Sequence, residues 1–237
     1  CRIFVQSHVV QHCELAWIFN CVTPIGELER MTQFKDKSRS HRANINMGLM
    51  GYPVLQAADI LIYKAGFVPV GEDQVQHVEL CREVARKFNS RFGQFFPEPQ
   101  VILSAAPKIL GVDGQSKMSK SLNNYVAILE EKASMWDKLR TAVTDVNRVR
   151  RTDRGDPEIC NIYTMHRAFS PEDTVDEVAA GCRTAGIGCI DCKKMLFEYL
   201  FAELEPIQER ARILRNDTSY VLDVLGDGAR ACSIMAE

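Results

Sequence analysis

The segment that most constrains the fold is a short apolar strand followed by a glycine and an amphipathic helix. Phe67–Val70 has the length and apolar character of a strand, and Gly71 separates it from a polar Glu-Asp-Gln turn. Apolar residues then recur on one helical face as far as about Phe88. An α/β sheet binds its ligand where a strand passes through such a turn into a helix. Asp73 and Gln74 therefore suit ligand binding, although they also suit simple capping of the helix.

Two further segments have the character of strands. Arg2–Ser7 is an apolar run that ends in polar residues, and Val101–Leu103 is a shorter apolar run. We predict a helix from His12 to Asn20 after the first of them. The polar end of a parallel strand lies at the ligand-binding edge of the sheet, so Gln6 and His8 are pocket candidates. A plain exit from strand to loop explains these two residues equally well.

The chain changes character after Asn124, where helical periodicity replaces strand-like runs. We therefore predict an α/β fold in two parts. Residues 1–124 form a Rossmann-like parallel-sheet domain, and residues 125–237 form an all-helical domain. The helices of the second domain are predicted at Ile128–Val143, Ser170–Gly181, Asp191–Arg215 and Asp217–Glu237.

A carboxylate interrupts an otherwise apolar helix in the first half of the chain. The run Gly51–Tyr63 is almost wholly apolar, and we predict a buried helix that begins at Pro53. Asp59 lies in the middle of this run. A buried carboxylate without a partner costs several kcal/mol, so we expect Asp59 to meet a hydrogen-bond donor. That donor is either an internal arginine, lysine or backbone group, or a group of a bound ligand.

The stretch Asp113–Asn124, which we call the lysine loop, is polar between apolar segments. Its composition predicts an exposed, mobile loop. Lys117 and Lys120 suit a leaving group that gains negative charge during a reaction, such as the pyrophosphate that departs from ATP. A solvated basic linker is the alternative for a loop of this composition.

Four cysteines have the spacing of a metal site. Cys160, Cys182, Cys189 and Cys192 are separated by 21, 6 and 2 residues. A Cys-x2-Cys pair lets two sulfurs face one centre, and four thiolates suit tetrahedral zinc or an iron–sulfur cluster. Four unrelated core thiols are the alternative.

The bulk properties limit the partners and the compartment. The net charge of −2 gives no overall attraction to nucleic acid, so any RNA contact depends on local basic patches. The odd count of nine cysteines favours reduced thiols in a cytoplasmic chain. No apolar run approaches the roughly 20 residues that span a bilayer, so we expect no membrane partner. One candidate basic patch contains Arg148, Arg150, Arg151 and Arg154.

Taken together, these motifs resemble the bacterial-type tryptophanyl-tRNA synthetases, which are class I enzymes. The resemblance covers essentially the whole chain and rests on several stretches in combination. These stretches are Gln6-Ser7-His8, residues 26–37 (GELERMTQFKDK), residues 57–61 (AADIL), residues 68–74 (VPVGEDQ) and residues 117–121 (KMSKS).

The resemblance implies an activity and a role for each motif. The enzyme would activate tryptophan with Mg2+ and ATP to give tryptophanyl-adenylate, and then pass the aminoacyl group to tRNA(Trp). Asp59 would accept a hydrogen bond from the indole N–H. The parallel-sheet domain would be catalytic, the helical domain would bind the anticodon, and the chain would form a homodimer.

The resemblance also assigns the remaining site residues. Lys37, Lys117 and Lys120 would be the catalytic lysines on the phosphates of ATP. Tyr52 and Gln74 would hold the ammonium group of tryptophan, and Gly71 and Asp73 the ribose of ATP. Gln6, His8, Gln56 and Val70 would complete the tryptophan site, and Met118 and Ser119 the ATP site.

This chain departs from the family pattern in two places. Gln56 stands where many members have methionine, which makes the floor of the indole pocket more polar. The first strand of the family and its HIGH-like turn are expected to be absent, so this chain as given is expected to bind ATP poorly. A non-catalytic tRNA-binding or regulatory fragment is therefore the alternative function.

The four cysteines resemble those of a subset of the family. Members of that subset carry a [4Fe–4S] cluster in the anticodon-binding domain, which favours iron over zinc at Cys160, Cys182, Cys189 and Cys192.

Overall fold

The computed structural model describes residues 1–40, 45–103 and 109–237, except for the side chains at positions 36, 37, 39 and 40. The chain divides into two compact units. Unit 1 comprises Cys1–Ser104 and Ser219–Glu237, and unit 2 comprises Ala105–Thr218. The lysine loop thus belongs to unit 2 and the last helix to unit 1, a division that differs from the predicted boundary after residue 124.

Helices make up most of both units. The first five are α1 (Gln11–Asn20), α2 (Ile25–Arg30), α3 (Thr32–Ser40), α4 (Met47–Leu61) and α5 (Val75–Phe92). The others are α6 (Lys132–Thr141), α7 (Asn161–Phe169), α8 (Glu172–Arg183), α9 (Cys189–Arg215) and α10 (Thr218–Ala236). No helix in the described parts of the chain combines the length and the apolar composition needed to cross a membrane.

The predicted parallel sheet is present in unit 1. Among the described residues it has two strands, β1 (Phe67–Val70) and β2 (Gln100–Leu103), which pair in parallel with Phe67 opposite Gln100. Helix α5 makes the crossover between them, as a parallel pair requires. The α/β prediction is therefore confirmed for this half of the chain.

The predicted strand at Arg2–Ser7 is wrong. Residues 1–5 have no regular structure, and Gln6–His8 form a short 3-10 helix. Ile3 and Val5 of this segment are exposed, whereas Phe4 packs with the following Val9 against Ala229 and Cys232 of α10. A contact of Phe4 with a helix therefore takes the place of pairing in the sheet.

Helix α4 begins earlier than predicted, with Pro53 inside it rather than at its start. The side chain of Asn46 accepts a hydrogen bond of 2.9 Å from the N–H of Leu49, which caps the helix two turns before the proline. Val54, Ala57, Ala58 and Leu61 lie on one face of α4 and are buried where it packs between α1 and α5.

In unit 2, helix α9 packs against α6 and α7. The sequence analysis missed α7, whose residues Ile162 and Met165 are buried in this core with Leu139 and Leu196. The other three helices of the unit, α6, α8 and α9, fall within a few residues of their predicted positions. All nine cysteines of the chain are free, in agreement with the prediction of reduced thiols.

Candidate functional site

Asp59 is the centre of a hydrogen-bonded group on the last turn of α4. The Nε2 atom of Gln6 donates to both carboxylate oxygens, at 2.7 Å to Oδ1 and 2.8 Å to Oδ2. The Nδ1 atom of His12 lies 2.6 Å from Oδ1. The 3-10 helix and α1 therefore bring two donors to one carboxylate that is about 50 residues away in sequence.

Asp59 is less buried than its position in an apolar run predicts. Its side chain is 35% exposed, and its donors are an amide and an imidazole of the same chain. These are not the internal arginine, lysine or backbone group that the sequence suggested. The carboxylate is satisfied without a ligand, so its position in an apolar run does not by itself require one.

The same contacts leave Asp59 with spare acceptor capacity. Each carboxylate oxygen can accept about two hydrogen bonds. Oδ1 accepts from Gln6 and His12, whereas Oδ2 accepts from Gln6. The described contacts therefore leave one acceptor position on Oδ2 for an N–H of a bound molecule.

His12 and Tyr63 extend this group, and the sequence analysis missed both. The Nε2 atom of His12 lies 2.7 Å from the Tyr63 hydroxyl, and His12 is only 2% exposed. Burial raises the pKa of Tyr63 to about 12, helped by the neighbouring Cys232 and Asp59. The sequence offered one signal for this contact. Asp59 lies in the last turn of α4 and Tyr63 follows four residues later, the spacing at which helical residues share a face.

The other residues proposed for tryptophan lie on α4 and at the start of α5. The Tyr52 hydroxyl is 3.2 Å from Nε2 of the buried His77. Gln56 donates to Gln74 at 3.5 Å, and Gln74 donates to Asp73 at 3.4 Å. The structure thus joins three of the predicted residues, Gln56, Gln74 and Asp73, in one polar row.

The turn after β1 has a steric requirement at Gly71. A Cβ atom on Gly71 would lie 2.9 Å from Oδ1 of Asp73, so a side chain here would displace that carboxylate. Val70, directly before the turn, is half-buried, and His8 is exposed. The backbone of Lys37 lies in α3, and its side chain is outside the described part of the structure.

A buried asparagine organises the lysine loop in unit 2. Asn124 is 3% exposed. Its amide nitrogen donates to the Asp113 carboxylate at 2.8 Å and to the Lys117 carbonyl at 3.3 Å. Its amide oxygen accepts a hydrogen bond of 2.7 Å from the Ser119 N–H. A short antiparallel bridge joins Lys117 to Leu110. Together these bonds fix the backbone on both sides of the Lys-Met-Ser-Lys-Ser motif.

The predicted exposure of the lysine loop is therefore only partly right. Lys117 and Lys120 are exposed, but Met118 packs against the core of unit 2 and Asn124 is buried. Burying a polar amide is possible here because the loop backbone satisfies it. Hydrogen bonds from the Gln115 N–H and from Asn124 hold the pKa of Asp113 below its ordinary value.

The four predicted ligand cysteines lie on three helices of unit 2. Cys160 precedes α7, Cys182 lies in the last turn of α8, and Cys189 and Cys192 lie in the first turn of α9. Burial, with a smaller contribution from the three other thiols, raises the pKa of Cys192 to about 12. The thiols are thus close enough to interact electrostatically.

Cations and glycines surround these thiols. Arg148 is 9% exposed, and its guanidinium donates to Sγ of Cys182 at 3.8 Å and to the Ile187 carbonyl at 2.6 Å. A Cβ atom on Gly155 would lie 2.6 Å from the same sulfur. In the described residues, however, no three His, Cys, Asp or Glu side chains are arranged so that they could hold a metal ion. The thiols neighbour one another without forming a ready ligand set.

Comparison with protein families gives a match over most of the chain. The model of the class I tRNA synthetases for tryptophan and tyrosine matches residues 1–205. This region contains the Asp59 group, the turn after β1, the lysine loop and the four cysteines.

Two curated relatives and a solved structure are similar over nearly the whole chain. The tryptophan–tRNA ligase of Deinococcus radiodurans is 57% identical over 234 residues, which cover 98% of this chain and 71% of that protein. The tryptophan–tRNA ligase of Thermotoga maritima is 46% identical, covering 96% of this chain and 70% of that protein. The solved structure is that of the tryptophanyl-tRNA synthetase of Campylobacter jejuni with ADP and tryptophan. It superposes on this chain with a TM-score of 0.82 at 34% sequence identity, and the match covers 98% of this chain and 72% of the Campylobacter chain.

Proposed function

This chain belongs to the tryptophan–tRNA ligases, within the class I tRNA synthetases for tryptophan and tyrosine, and from that membership we propose how its residues carry out the reaction. The carboxylate of tryptophan attacks the α-phosphate of ATP, and pyrophosphate leaves. The aminoacyl group of the adenylate then passes to a hydroxyl of the terminal ribose of tRNA(Trp), and AMP leaves. In such a reaction a protein acts mainly by positioning the reactants and stabilising charge.

The observation that carries the assignment of the amino-acid site is the acceptor position on Asp59. Oδ2 can accept the indole N–H while Oδ1 stays bonded to Gln6 and His12. Phenylalanine lacks that N–H. A site built around such a hydrogen bond rejects the analogue that cannot form it, because the carboxylate then loses its water without gaining a partner.

The remaining residues of unit 1 take their roles from the same assignment. Tyr52 and Gln74 hold the ammonium group of tryptophan, supported by the polar contacts that already fix both side chains. Gly71 and Asp73 bind the ribose of ATP in the turn between β1 and α5. Gln6, His8, Gln56 and Val70 complete the tryptophan site.

Lys37, Lys117 and Lys120 act on the phosphates of ATP. The hydrogen bonds around Asn124 hold the backbone of Met118 and Ser119, which flank the exposed ammonium groups of the loop. Magnesium bound with ATP would supply charge neutralisation at the phosphates, with water and phosphate oxygens as most of its ligands. The lysines then stabilise the charge that develops on pyrophosphate.

Tryptophan-dependent exchange of pyrophosphate into ATP tests this function. Asp59→Asn keeps the shape of the side chain but weakens its acceptor, so we expect kcat/KM for tryptophan to fall by about 10- to 100-fold. Glu79→Gln is the matched control, because Glu79 is an exposed carboxylate paired with Arg82 on the surface of α5.

Two outcomes would contradict the proposal. Unchanged exchange in Asp59→Asn would remove the tryptophan role of Asp59. Binding of tRNA(Trp) by the purified protein without any exchange would instead indicate the non-catalytic tRNA-binding function. Charging of tRNA(Trp), measured as acid-stable tryptophan on the RNA, tests the second step.

We further propose that Cys160, Cys182, Cys189 and Cys192 hold a [4Fe–4S] cluster in unit 2, with zinc as the alternative. The four-thiol donor set is that of such a cluster, and Gly155 leaves space next to the Cys182 sulfur that a Cβ atom would fill. The guanidinium of Arg148 offsets the negative charge that a cluster brings. The thiols become a complete ligand set on binding, as is common where metal binding and local folding are coupled.

Anaerobic purification tests the cluster. We expect a brown protein that absorbs at about 400 nm, as cysteinyl iron–sulfur centres do. Chemical analysis is expected to give iron and sulfide in equal amounts. Cys189→Ser is expected to lose both. One zinc per chain without sulfide would contradict the cluster in favour of zinc, and absence of both metals would contradict the metal site.

The proposed partners are tRNA(Trp), whose anticodon unit 2 reads, and a second copy of the chain. Trp17 is 72% exposed and Met47 77% exposed, and Trp17 also lines a cleft of about 280 Å3 between α1 and α4. Covering this apolar surface favours a homodimer. Light scattering is expected to give twice the chain mass, and Trp17→Glu is expected to give the monomer.

Because charging of tRNA serves translation, we place the protein in the cytoplasm.

A further inference from the structure

His12 is a buried imidazole that the proposed reaction does not use. Both of its ring nitrogens are engaged, Nδ1 with Asp59 at 2.6 Å and Nε2 with Tyr63 at 2.7 Å. The ring also packs between aromatic neighbours, with centroids 5.8 Å from Phe4 and 5.4 Å from Tyr63. Its position is thus fixed by two hydrogen bonds and two ring contacts.

The direction of these hydrogen bonds follows from the chemistry of the partners. A carboxylate only accepts, so Nδ1–H of His12 donates to Asp59. In a neutral ring Nε2 is then an acceptor, and the hydroxyl of Tyr63 donates to it. Because the pKa of Tyr63 is raised to about 12, this hydroxyl keeps its proton at neutral pH. The Asp59 carboxylate therefore sets the tautomer of His12, and the Tyr63 hydroxyl supports it by donating to Nε2.

Asp59 needs such support because its other donor is exposed to solvent. Gln6 lies in an exposed 3-10 helix, and the Asp59 side chain is itself 35% exposed. A carboxylate in that position can rotate about its side-chain bonds unless something holds one oxygen. Among the described contacts of Asp59, that of His12 alone comes from a buried residue and involves Oδ1 without Oδ2, which leaves Oδ2 with an acceptor position that the described residues do not fill.

We propose that His12, held by Tyr63, is a positioning residue that fixes the Asp59 carboxylate with Oδ2 directed at the indole N–H, and that it thereby contributes to the selection of tryptophan. This inference rests on the proposed function, because it gives His12 a role through Asp59. His12 itself does not touch the substrate. Tyr63 acts one step further back, by holding the imidazole.

The test compares two ligands that differ at the indole nitrogen. L-tryptophan carries the N–H, whereas 3-(3-benzothienyl)-L-alanine has sulfur in its place and nearly the same shape. Dissociation constants for both are measured by equilibrium dialysis with the purified protein. A general loss of structure weakens both ligands alike, whereas a loss of orientation at Asp59 weakens tryptophan alone.

The informative variant is His12→Phe, which keeps an aromatic ring but removes both ring nitrogens. We expect it to weaken tryptophan about tenfold or more, the usual effect of a hydrogen bond to a charged group, and to change benzothienylalanine less than about twofold. His12→Asn, whose amide nitrogen can replace Nδ1, is expected to restore much of the preference. Tyr63→Phe is expected to have an effect in the same direction but smaller.

A double-mutant cycle shows whether His12 acts through Asp59. With Asp59→Asn already present, His12→Phe is expected to cause no further loss of preference for tryptophan. Equal weakening of both ligands by His12→Phe, or a full additional loss in the Asp59→Asn background, would overturn the inference.

These results also separate the inference from the proposed function. If the unmodified protein binds tryptophan no better than phenylalanine, the proposed function is wrong, and the inference falls with it. If the unmodified protein selects tryptophan and His12→Phe keeps that selectivity, only the inference is wrong.

Discussion

Asn124 shows how a single side chain can set the shape of a loop that carries charge. The lysine loop needs its two ammonium groups in solvent, and repulsion between them opposes a compact loop. The buried amide of Asn124 counteracts this by bonding to Asp113, Lys117 and Ser119. Its neighbour Gly111 is part of the arrangement, since a Cβ atom there would lie 2.3 Å from the amide nitrogen.

We predict that Asn124→Ala opens the lysine loop. The substitution leaves the Ser119 N–H and the Asp113 carboxylate without their partner, which costs roughly 1–3 kcal/mol and raises the open population about tenfold. Trypsin cleavage after Lys117 or Lys120 is expected to accelerate accordingly, because cleavage follows the open population when opening is fast.

Leu122→Ala is the matched control in the same loop, because its side chain is 58% exposed. Cleavage of this variant is expected to match that of the unmodified protein. If Asn124→Ala is cleaved no faster than Leu122→Ala, the amide does not hold the loop.

The sequence could indicate candidate site residues that stand in an unusual local pattern. It could not indicate residues whose role depends on a contact with a residue distant in sequence. Asp59, Lys117 and Lys120 stood out because a charge in an apolar run and a basic loop are unusual patterns. His12 did not stand out, since a histidine near the start of a helix is ordinary. Its importance lies in a contact with Asp59, 47 residues away, which depends on how α1 and α4 pack.

Among the elements, α10 has the contacts least expected from its position in the sequence. It lies beyond all of unit 2 in the chain, yet it packs against the first residues of unit 1. Gly228 makes the approach possible, since a Cβ atom there would lie 2.0 Å from the Ile3 carbonyl oxygen. The same face of α10 presents Cys232 to Tyr63, so this helix also supports the Asp59 group.

We predict that Gly228→Ala weakens the docking of the N-terminal segment on α10. The added methyl group meets backbone atoms of Ile3, which cannot move aside as a flexible side chain can, and such overpacking costs typically about 1–3 kcal/mol. Hydrogen exchange of peptides from residues 1–9 is expected to become faster, as measured by mass spectrometry.

The same helix offers a matched control at Gly226. The atom nearest to its added Cβ would be the end of the Arg230 side chain at 3.5 Å, which leaves room for a methyl group. Gly226→Ala is expected to stabilise the helix by up to about 1 kcal/mol. If both substitutions change exchange in the same direction, close approach at Gly228 is not important.

Local patterns predicted most elements but failed where a partner distant in sequence decides the outcome. Strands β1 and β2 and helices α1, α5, α8, α9 and α10 follow their periodicity. The run Arg2–Ser7 has the composition of a strand, yet Ile3 and Val5 are exposed and Phe4 packs against α10. Helix α7 is only nine residues long and follows directly on another turn, so it was missed although its apolar residues Ile162 and Met165 have helical spacing.

At the scale of the whole molecule, the sites proposed for the two kinds of ligand lie in different units. The proposed tryptophan site lies in unit 1, whereas the four thiols lie in unit 2. A ligand stabilises the folded state of the unit that binds it, by an amount set by its concentration relative to its dissociation constant. Each ligand therefore serves as a probe of one unit.

We predict that tryptophan protects unit 1 selectively. At about 100 times its dissociation constant it stabilises that unit by about 2.7 kcal/mol. Its slowest-exchanging amides, in α1, α4 and α10, should then exchange about 100-fold more slowly. Amides of α6 to α9 are expected to change little, as measured by hydrogen exchange with and without tryptophan.

Phenylalanine at the same concentration is the control ligand, and Asp59→Asn is the control protein. Phenylalanine is expected to give little protection, and tryptophan is expected to protect the Asp59→Asn protein by no more than about tenfold. Equal protection of both units by tryptophan would show that they respond as one cooperative body.

The contribution of α10 to unit 1 has a consequence for synthesis on the ribosome. Domains commonly fold in the order in which they are made, with the N-terminal one first. Here the residues of unit 2 are contiguous, so that unit can fold while the last helix is still being translated. Unit 1 has to wait for residue 236, so the apolar surface of Phe4, Val9 and Tyr63 stays open to chaperones until translation has passed α10.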